Sequence, residues 1–221
     1  MNEREIFAEL YKKGLIKTLK HNPEGWHLVS GMWSPFYIQL RLLPSHPHLM
    51  NEIGIMLGEK IKKCGNKLLG IAMAGIPIAT AVSLIQKMPL CYTRKIAGVK
   101  SIESLKEYAS QYGEHSLVEG EIEDGDRFIA IDDIVTKFDS KLIAIKQLEI
   151  EAERRGKKIE CKNVAVVIDR QQGAEEIAKE YGVKLHSLIK FRDAIEWIKD
   201  EMDEKEYEII VDYLNEPEKY Q

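Results

Sequence analysis

The sequence has few of the features that mark secreted or membrane proteins. Its three cysteines, Cys64, Cys91 and Cys161, are far apart and lack metal-type spacing, which argues against a disulfide or zinc framework and favours a reducing compartment. No apolar run approaches the roughly 20 residues that a transmembrane helix needs. The first residues also lack a signal-peptide pattern. We therefore predict a cytoplasmic protein.

An excess of positive charge is also missing. The 221 residues include 36 acidic and 32 basic side chains, and the net charge is -4 at pH 7. The basic runs at 60–63 and 154–158 lie at predicted helix ends, where cations complement the helix dipole. We find no repeat or low-complexity segment and predict no nucleic-acid partner. What remains, 44% hydrophobic and 31% charged residues, is typical of one α/β domain with a sizeable core.

The hydrophobic spacing divides the chain near residue 48. Residues 3–20 have helical periodicity and predict one or two amphipathic helices, followed by short strands at 26–29 and 35–40. From about residue 49, helices and strands alternate, which predicts a mainly parallel sheet. The strands of this sheet are predicted at 67–72, 89–93, from 127 to the acids at 132 and 133, 161–168 and 183–189.

The central candidate for function is the strand that ends at Asp132 and Asp133. A polar turn follows, and a helix is predicted to begin near Ser140. Ligands of open α/β sheets lie at the carboxyl ends of such strands. Two acids there can accept hydrogen bonds from the vicinal hydroxyls of a sugar, or help to hold Mg²⁺ through water. The residues alone leave a second interpretation open, in which the acids only end a strand and start a turn.

Two further segments are candidates for the same edge of the sheet. Residues 73–77 leave the first core strand with small side chains before a helix, so their amides could bind an anion, although a tight strand-to-helix turn needs small residues anyway. Residues 169–173 follow a later core strand. The long segment 96–120, with possible helix at 102–112, predicts either a functional flap or a disordered excursion.

Four motifs in this order resemble those of the orotate phosphoribosyltransferases, members of the type I phosphoribosyltransferase fold. They lie at residues 30–41, 70–79, 128–140 and 166–173. The resemblance implies a mainly parallel α/β core at 49–221 with a flap at about 96–120, and a small N-terminal hood at 1–48. It also implies a homodimeric transferase of pyrimidine biosynthesis that joins orotate to 5-phosphoribosyl 1-pyrophosphate (PRPP), giving orotidine 5′-monophosphate and pyrophosphate.

The resemblance also implies roles for individual residues. Mg²⁺ is expected to bind through PRPP and water, without a direct protein ligand. The implied catalytic residues are Asp132 and Asp133, which hold the ribose, and Arg94 and Lys95 at the leaving group. The implied substrate-binding residues are Ser30, Gly31, Phe36 and Tyr37 in the hood, Ala72, Met73, Ala74 and Gly75 at pyrophosphate, Thr136, Lys137 and Ser140 in the phosphate loop, and Arg170 at the carboxylate of orotate.

Physical chemistry is consistent with these roles. Phosphoribosyl transfer develops positive charge on the sugar carbon while pyrophosphate leaves, so anion-binding amides and cations are needed. The planar fork of Arg170 suits a carboxylate. The alternative for Arg170 is a salt bridge with Asp169 or Glu175.

The chain departs from the family pattern in the phosphate loop and in the flap, and more mildly in the hood, where Gln39 replaces a usual acid. In the phosphate loop, Phe138 and Asp139 replace two glycines; Phe138 resists positive φ, and Asp139 adds negative charge or could cap the next helix. In the flap, Gly98 stands where the family has a lysine, and Lys100 and Lys106 lie at other spacings. The alternative hypothesis is therefore a non-catalytic or regulatory homologue that binds a nucleotide-like ligand; a transferase for another base is a third.

Overall fold

A computed structural model describes residues 1–28 and 33–220 of the chain. The strands β1 to β10 are Ile16–Thr18, Trp26–His27, Trp33–Ser34, Phe36–Ile38, Lys67–Gly70, Leu90–Thr93, Val118–Glu119, Arg127–Val135, Glu160–Asp169 and Lys184–Lys190. The helices α1 to α8 are Glu3–Lys12, Pro47–Ile61, Gly75–Gln86, Ile102–Gln111, Asp139–Arg154, Ala174–Glu180, Phe191–Ala194 and Glu204–Asn215. Short 3-10 helices span Leu40–Ser45, Ile195–Glu201 and Pro217–Tyr220.

Six of the strands form one sheet in the order β10-β9-β8-β5-β6-β7. All neighbours in it are parallel except β6 and β7, which are antiparallel. The middle strands are nearly continuous apolar runs because helices cover both faces of the sheet. Residues 164–169 of β9, for example, are all buried. The predicted mainly parallel α/β fold is confirmed.

The strand order reverses between β5 and β8. From β5 the chain proceeds to β6 on one side, whereas β8 is followed by β9 on the other. Lys67 to Gly70 pair with Phe128 to Ile131 in parallel register, and the Ile71 amide continues the pairing by donating to the Ile131 carbonyl at 2.9 Å. Loops that leave two strands at such a reversal diverge and open a crevice at the carboxyl edge. The fold therefore places its natural ligand site beyond Gly70 and Ile131.

The N-terminal part packs on the C-terminal helices. Helix α1 begins with a capping box between Asn2 and Glu5, and its Phe7 ring meets the Phe191 and Trp197 rings edge-on, with centroids 5.8 and 5.9 Å apart. The prediction of helix throughout 3–20 is wrong after Lys13. Gly14 has a φ of +69°, which ends the helix, and β1 then pairs antiparallel with β4.

Within residues 1–28 and 33–220, no helix is long enough and apolar enough to span a lipid bilayer.

Candidate active site

A cavity of 530 Å³ opens at the reversal of the strand order. Its wall is formed by residues 37–41 of the N-terminal part, residues 71–74 after β5, Lys95 after β6, and residues 132–134, 136, 137, 140 and 141 along β8 and the start of α5. A larger cleft of 660 Å³ lies between α1 and the start of α2. We place the site in the smaller cavity because the carboxyl ends of three parallel strands and the predicted acids converge there.

The two acids lie within β8 rather than after it. The predicted end of the strand at Asp132 is wrong, because β8 continues to Val135 while pairing with β9. Asp132 is 8% exposed, and its carboxylate accepts hydrogen bonds from Lys141 Nζ at 2.8 Å and from the Asp133 amide at 2.9 Å. Asp133 is half-buried, and its Oδ1 accepts from the Ile134 amide at 2.8 Å.

The two acids differ in their electrostatic environment. Burial, with the neighbouring Asp132 carboxylate as the second cause, raises the pKa of Asp133 to about 7, although Lys141 acts in the opposite direction. Asp132 has the ammonium of Lys141 in direct contact. At neutral pH the pair therefore carries a proton on the Asp133 side for part of the time.

The raised pKa of Asp133 predicts how folding stability depends on pH. An acid with a higher pKa in the folded than in the unfolded state binds more protons when folded, so stability should fall as pH rises from about 4 to about 7. Asp133→Asn keeps the Ile134 contact but removes the titration, and we expect its melting temperature to change less between pH 5 and 8 than that of the wild type. The control is Asp200→Asn, at an exposed acid. Parallel pH curves for wild type and Asp133→Asn would contradict the prediction.

Lys141 was not anticipated from the sequence. The side chain of this lysine, in the first turn of α5, is 5% exposed, and its Nζ donates to Asp132 Oδ2 at 2.8 Å, the Ile134 carbonyl at 2.6 Å and Ser140 Oγ at 3.3 Å. The available signal was a cation in the first turn of a helix, where the dipole disfavours it. Such a position suggests a compensating acid nearby.

The small-residue turn after β5 approaches β8 closely. A Cβ on Gly75 would lie 2.2 Å from the Ile131 carbonyl oxygen, so only glycine fits there. Ala72, Met73 and Ala74 line the cavity, and the peptide bond between Ala72 and Met73 is cis. The Ala72 amide donates to Thr93 Oγ1 at 2.9 Å and the Gly75 amide to the Ile71 carbonyl at 3.0 Å. The Met73 and Ala74 amides have no acceptor in the described part of the chain and stand at the start of α3, where an anion is favoured.

The loop of 136–140, the predicted phosphate loop, has an ordinary backbone conformation without the two glycines of the family pattern. Phe138 is 0% exposed and belongs to the core between the sheet and α5, so its ring points away from the cavity. Phe138 has a φ of -89°, and no residue from 136 to 140 has a positive φ. Thr136, Lys137 and Ser140 line the cavity, whereas Phe138 and Asp139 do not.

Asp139 does not cap the following helix. The residue before the first turn of α5 is Phe138, no side chain caps that end, and Asp139 is the exposed first residue of the helix. The interpretation of Asp139 as an N-cap that fills the phosphate position is therefore wrong. The N-terminus of α5 keeps its amides without a side-chain cap, and an anion can be stabilised there.

The predicted hood residues lie at two depths. Tyr37 lines the cavity, stacks on Trp26 with centroids 6.1 Å apart, and its hydroxyl accepts from Arg41 Nη2 at 3.2 Å. Phe36 is buried beneath it, 4.5 Å from the Phe191 ring, and does not line the cavity. The predicted contacts of Ser30 and Gly31 fall outside the described residues.

Arg170 lies against the buried Phe36 ring. Its guanidinium carbon is 5.0 Å from the centroid of that ring, and burial lowers the pKa of the guanidinium. The Nε atom is buried without a partner among the described residues. The alternative salt bridges of Arg170 are wrong: Asp169 accepts from the Gln171 amide at 2.8 Å, and Glu175 pairs with Lys190 at 3.4 Å. A buried guanidinium with an unused donor suits a ligand carboxylate.

The two basic residues after β6 point to different places. Lys95 lines the cavity. Arg94 does not; its Nη1 donates to the Ser116 carbonyl at 3.3 Å, and its Nε lies 3.8 Å from Glu119. The structure thus brings Lys95, but not Arg94, to the acid pair.

Residues 96–120 include the helix α4 and the strand β7, and they pack on α5. The helix α4 agrees with the possible helix at 102–112, and two residues of α5 and its C-cap residue contact the backbone of residues 94–118. Gln147 donates to the Arg94 carbonyl at 3.1 Å, Glu151 accepts from the Leu117 amide at 2.8 Å, and Arg155 donates to the Val118 carbonyl at 2.8 Å. Lys100 and Lys106 are not in the cavity wall; Lys106 lines a groove on another face of α5.

Proteins of known structure share this fold. The chain resembles a UMP synthase from Leishmania donovani, with a TM-score of 0.77 and 23% identity over 96% of this chain, and spans 42% of that longer chain. It also resembles the orotate phosphoribosyltransferase of Aeropyrum pernix, with a TM-score of 0.65 and 24% identity, over 86% of this chain and 96% of that one. The sheet, its strand reversal and these likenesses define a type I phosphoribosyltransferase fold.

Comparison with curated protein sequences identifies the family within this fold. An orotate phosphoribosyltransferase from Methanocaldococcus jannaschii is 30% identical over 166 residues, which cover 75% of this chain and 84% of that protein. No protein-family model matches the chain. The chain belongs to the orotate phosphoribosyltransferase family.

Proposed function

We propose that this chain is an orotate phosphoribosyltransferase, which transfers the phosphoribosyl group of PRPP to orotate and releases orotidine 5′-monophosphate and pyrophosphate in pyrimidine nucleotide biosynthesis. Family membership supports the reaction. One observation carries the proposal. The β8 acid pair, the start of α5 and the turn after β5 all line one cavity of 530 Å³. These are the groups that a sugar carrying two phosphate groups requires.

The proposed roles follow the wall of the cavity. Asp133 accepts hydrogen bonds from the ribose hydroxyls, and Asp132 supports it. The amides at the start of α5 bind the 5′-phosphate together with Thr136, Lys137 and Ser140, whereas the Met73 and Ala74 amides bind the pyrophosphate. Lys95 offsets the negative charge of the departing pyrophosphate.

The base is proposed to lie between the hood and the end of β9. Tyr37 offers an aromatic surface there, and Arg170 offers paired donors to the carboxylate of orotate. Residues 1–48 would then act as the hood, and residues 96–120 as the flap. Arg94 would need to leave Glu119 to reach pyrophosphate, so we assign the leaving-group role to Lys95 first.

Magnesium fits this site through PRPP and water. The carboxylates of Asp132 and Asp133, which line the cavity, would accept hydrogen bonds from the water shell of the ion. When bound, Mg²⁺ would neutralise the pyrophosphate that leaves.

We also propose that the protein is a cytoplasmic homodimer. The support is the surface of α3, whose twelve residues include no charged side chain and whose Leu84 is 65% exposed. Depletion of charged side chains is a feature of the buried centre of protein interfaces.

The alternative of a non-catalytic homologue receives no support from the loop. Neither Phe138 nor Asp139 enters the cavity, so neither replacement blocks the place of a phosphate.

A turnover assay tests the proposed reaction. Protein, Mg²⁺, PRPP and orotate are mixed, and the loss of orotate absorbance is followed; we expect turnover that requires PRPP. Asp133→Ala should lower kcat/KM for PRPP by about 10- to 150-fold, the size expected for losing hydrogen bonds to a charged group. Absence of turnover at high concentration of the folded wild type would overturn the proposal.

A further inference from the structure

All three hydrogen-bond donors of the Lys141 ammonium group have acceptors within the protein. An ammonium carries three N–H donors. Three acceptors surround it: Asp132 Oδ2 at 2.8 Å, the Ile134 carbonyl at 2.6 Å and Ser140 Oγ at 3.3 Å. The group is therefore saturated by protein and is not free to bind a phosphate directly, although it lies in the cavity wall.

These contacts join the two ends of the phosphate loop. Asp132 and Ile134 lie on β8, before the loop, and Ser140 and Lys141 lie on α5, after it. Between them, Phe138 anchors the middle of the loop in the core. The loop is thus held at both ends by one cation and at its centre by one ring, in a chain without the glycines that would form an anion-binding nest.

We propose that Lys141 is a positioning residue: it closes the loop of 136–139 across its two ends and so holds the loop amides where they bind the 5′-phosphate of PRPP. The inference rests on the proposed function and adds a residue to it. Lys141 touches no reacting atom; it acts through Asp132 and the loop.

The same contacts give Asp132 and Asp133 different roles. Both carboxylate oxygens of Asp132 accept hydrogen bonds from the protein, one from Lys141 and one from the Asp133 amide. Asp133 uses Oδ1 for the Ile134 amide, and its other oxygen accepts from no N–H group of the described residues. Asp133 is therefore the carboxylate that meets the ribose hydroxyls, and Asp132 is the partner of the lysine.

A purely structural ion pair explains the position less well. Buried ion pairs contribute little net stability because desolvation offsets the attraction. A cation in the first turn of a helix is further disfavoured by the dipole. Stability alone would be served as well by an apolar residue, so the lysine is better explained by what it does for the loop.

The test compares two lysines of the same helix. Lys141→Met removes the charge at similar length, and Lys146→Met is the matched control, since Lys146 faces solvent and pairs only with Glu149 at 2.8 Å among the described residues. Binding of ribose 5-phosphate is measured by calorimetry, and KM for PRPP and for orotate by the turnover assay. Thermal unfolding is followed for each variant.

We expect Lys141→Met to weaken ribose 5-phosphate binding and raise KM for PRPP by about tenfold or more, because the loop amides lose the contacts that hold them in position. KM for orotate and kcat should change less than about threefold. Lys146→Met should match the wild type. Wild-type affinity for ribose 5-phosphate in Lys141→Met, or an equal loss for both substrates, would overturn the inference.

A second variant tests the inference even if Lys141→Met does not fold. Asp132→Asn/Lys141→Met leaves no unpaired charge, and it should fold and still bind ribose 5-phosphate about tenfold more weakly than Asp132→Asn alone. Equal affinities of these two variants would overturn the inference. The binding comparison needs no turnover: a wild type that binds ribose 5-phosphate but does not consume orotate contradicts the proposed reaction and leaves the role of Lys141 to be decided by the variants.

Discussion

Phe138→Gly is expected to destabilise the protein by about 3–5 kcal/mol, the usual cost of removing a phenylalanine side chain from a core. Phe138 is 0% exposed and packs between the sheet and α5, in the same cluster as Phe128 and Leu148. Restoring the family glycine therefore leaves a cavity at the start of α5 and frees the loop. We expect weaker PRPP binding as well, because the amides proposed to bind phosphate lose their anchor. Urea denaturation gives the stability change.

Asp139→Gly is the matched control for Phe138→Gly. Asp139 is exposed at the first turn of α5, so its loss should cost only about 1 kcal/mol, from helix propensity and from the dipole. Removing its negative charge should leave PRPP affinity unchanged or slightly higher in calorimetry. If Phe138→Gly is as stable as Asp139→Gly, or if it binds PRPP more tightly than the wild type, our account of the loop is wrong.

Arg170→Ala is expected to weaken orotate binding by about 1.5–3 kcal/mol, the size of hydrogen bonds to a charged group. The guanidinium is held against Phe36 at 5.0 Å and has a buried donor without a partner in the described residues. A ligand carboxylate would satisfy that donor. Calorimetry with orotate measures the change, and PRPP affinity should stay near the wild-type value because Arg170 does not line the cavity of the acid pair.

Arg170→Lys separates geometry from charge. Lysine keeps the positive charge but has no planar pair of donors, so it should recover only part of the affinity lost in Arg170→Ala. Unchanged orotate binding in a folded Arg170→Ala protein would remove Arg170 from the base site. Full recovery by lysine would show that charge alone matters.

The order of elements was largely predictable because it depends on local signals. The alternation of buried strands and amphipathic helices after residue 49 follows from hydrophobic period alone, and the helix at Ile102–Gln111 has a capping box at Ser101 and Ser104. The end of β8 was predicted too early. Two acids usually stop a strand, but here the parallel partner β9 continues the ladder as far as Asp169.

The side-chain directions in the site were not predictable. Whether Phe138 faces the cavity or the core depends on the packing of α5 against the sheet. Only the three-dimensional structure shows that Lys95 lines the cavity of the acid pair, whereas Arg94 lies near Glu119 of the antiparallel β7. Neither contact leaves a trace in the local sequence pattern. The position of the flap likewise depends on Gln147, Glu151 and Arg155, which come 34 to 53 residues from the backbone groups they bind.

The sequence by itself determined the α/β class, the four motifs and the acid pair, because hydrophobic period and turn residues act over a few neighbouring positions. Only the tertiary structure decided that Asp132 forms an ion pair with Lys141. It also decided that the loop of 136–140, without glycines, leaves the cavity open. Those facts depend on groups that meet across the turn between β8 and α5 and across the layers of the fold. Burial and charge pairing in three dimensions settle them.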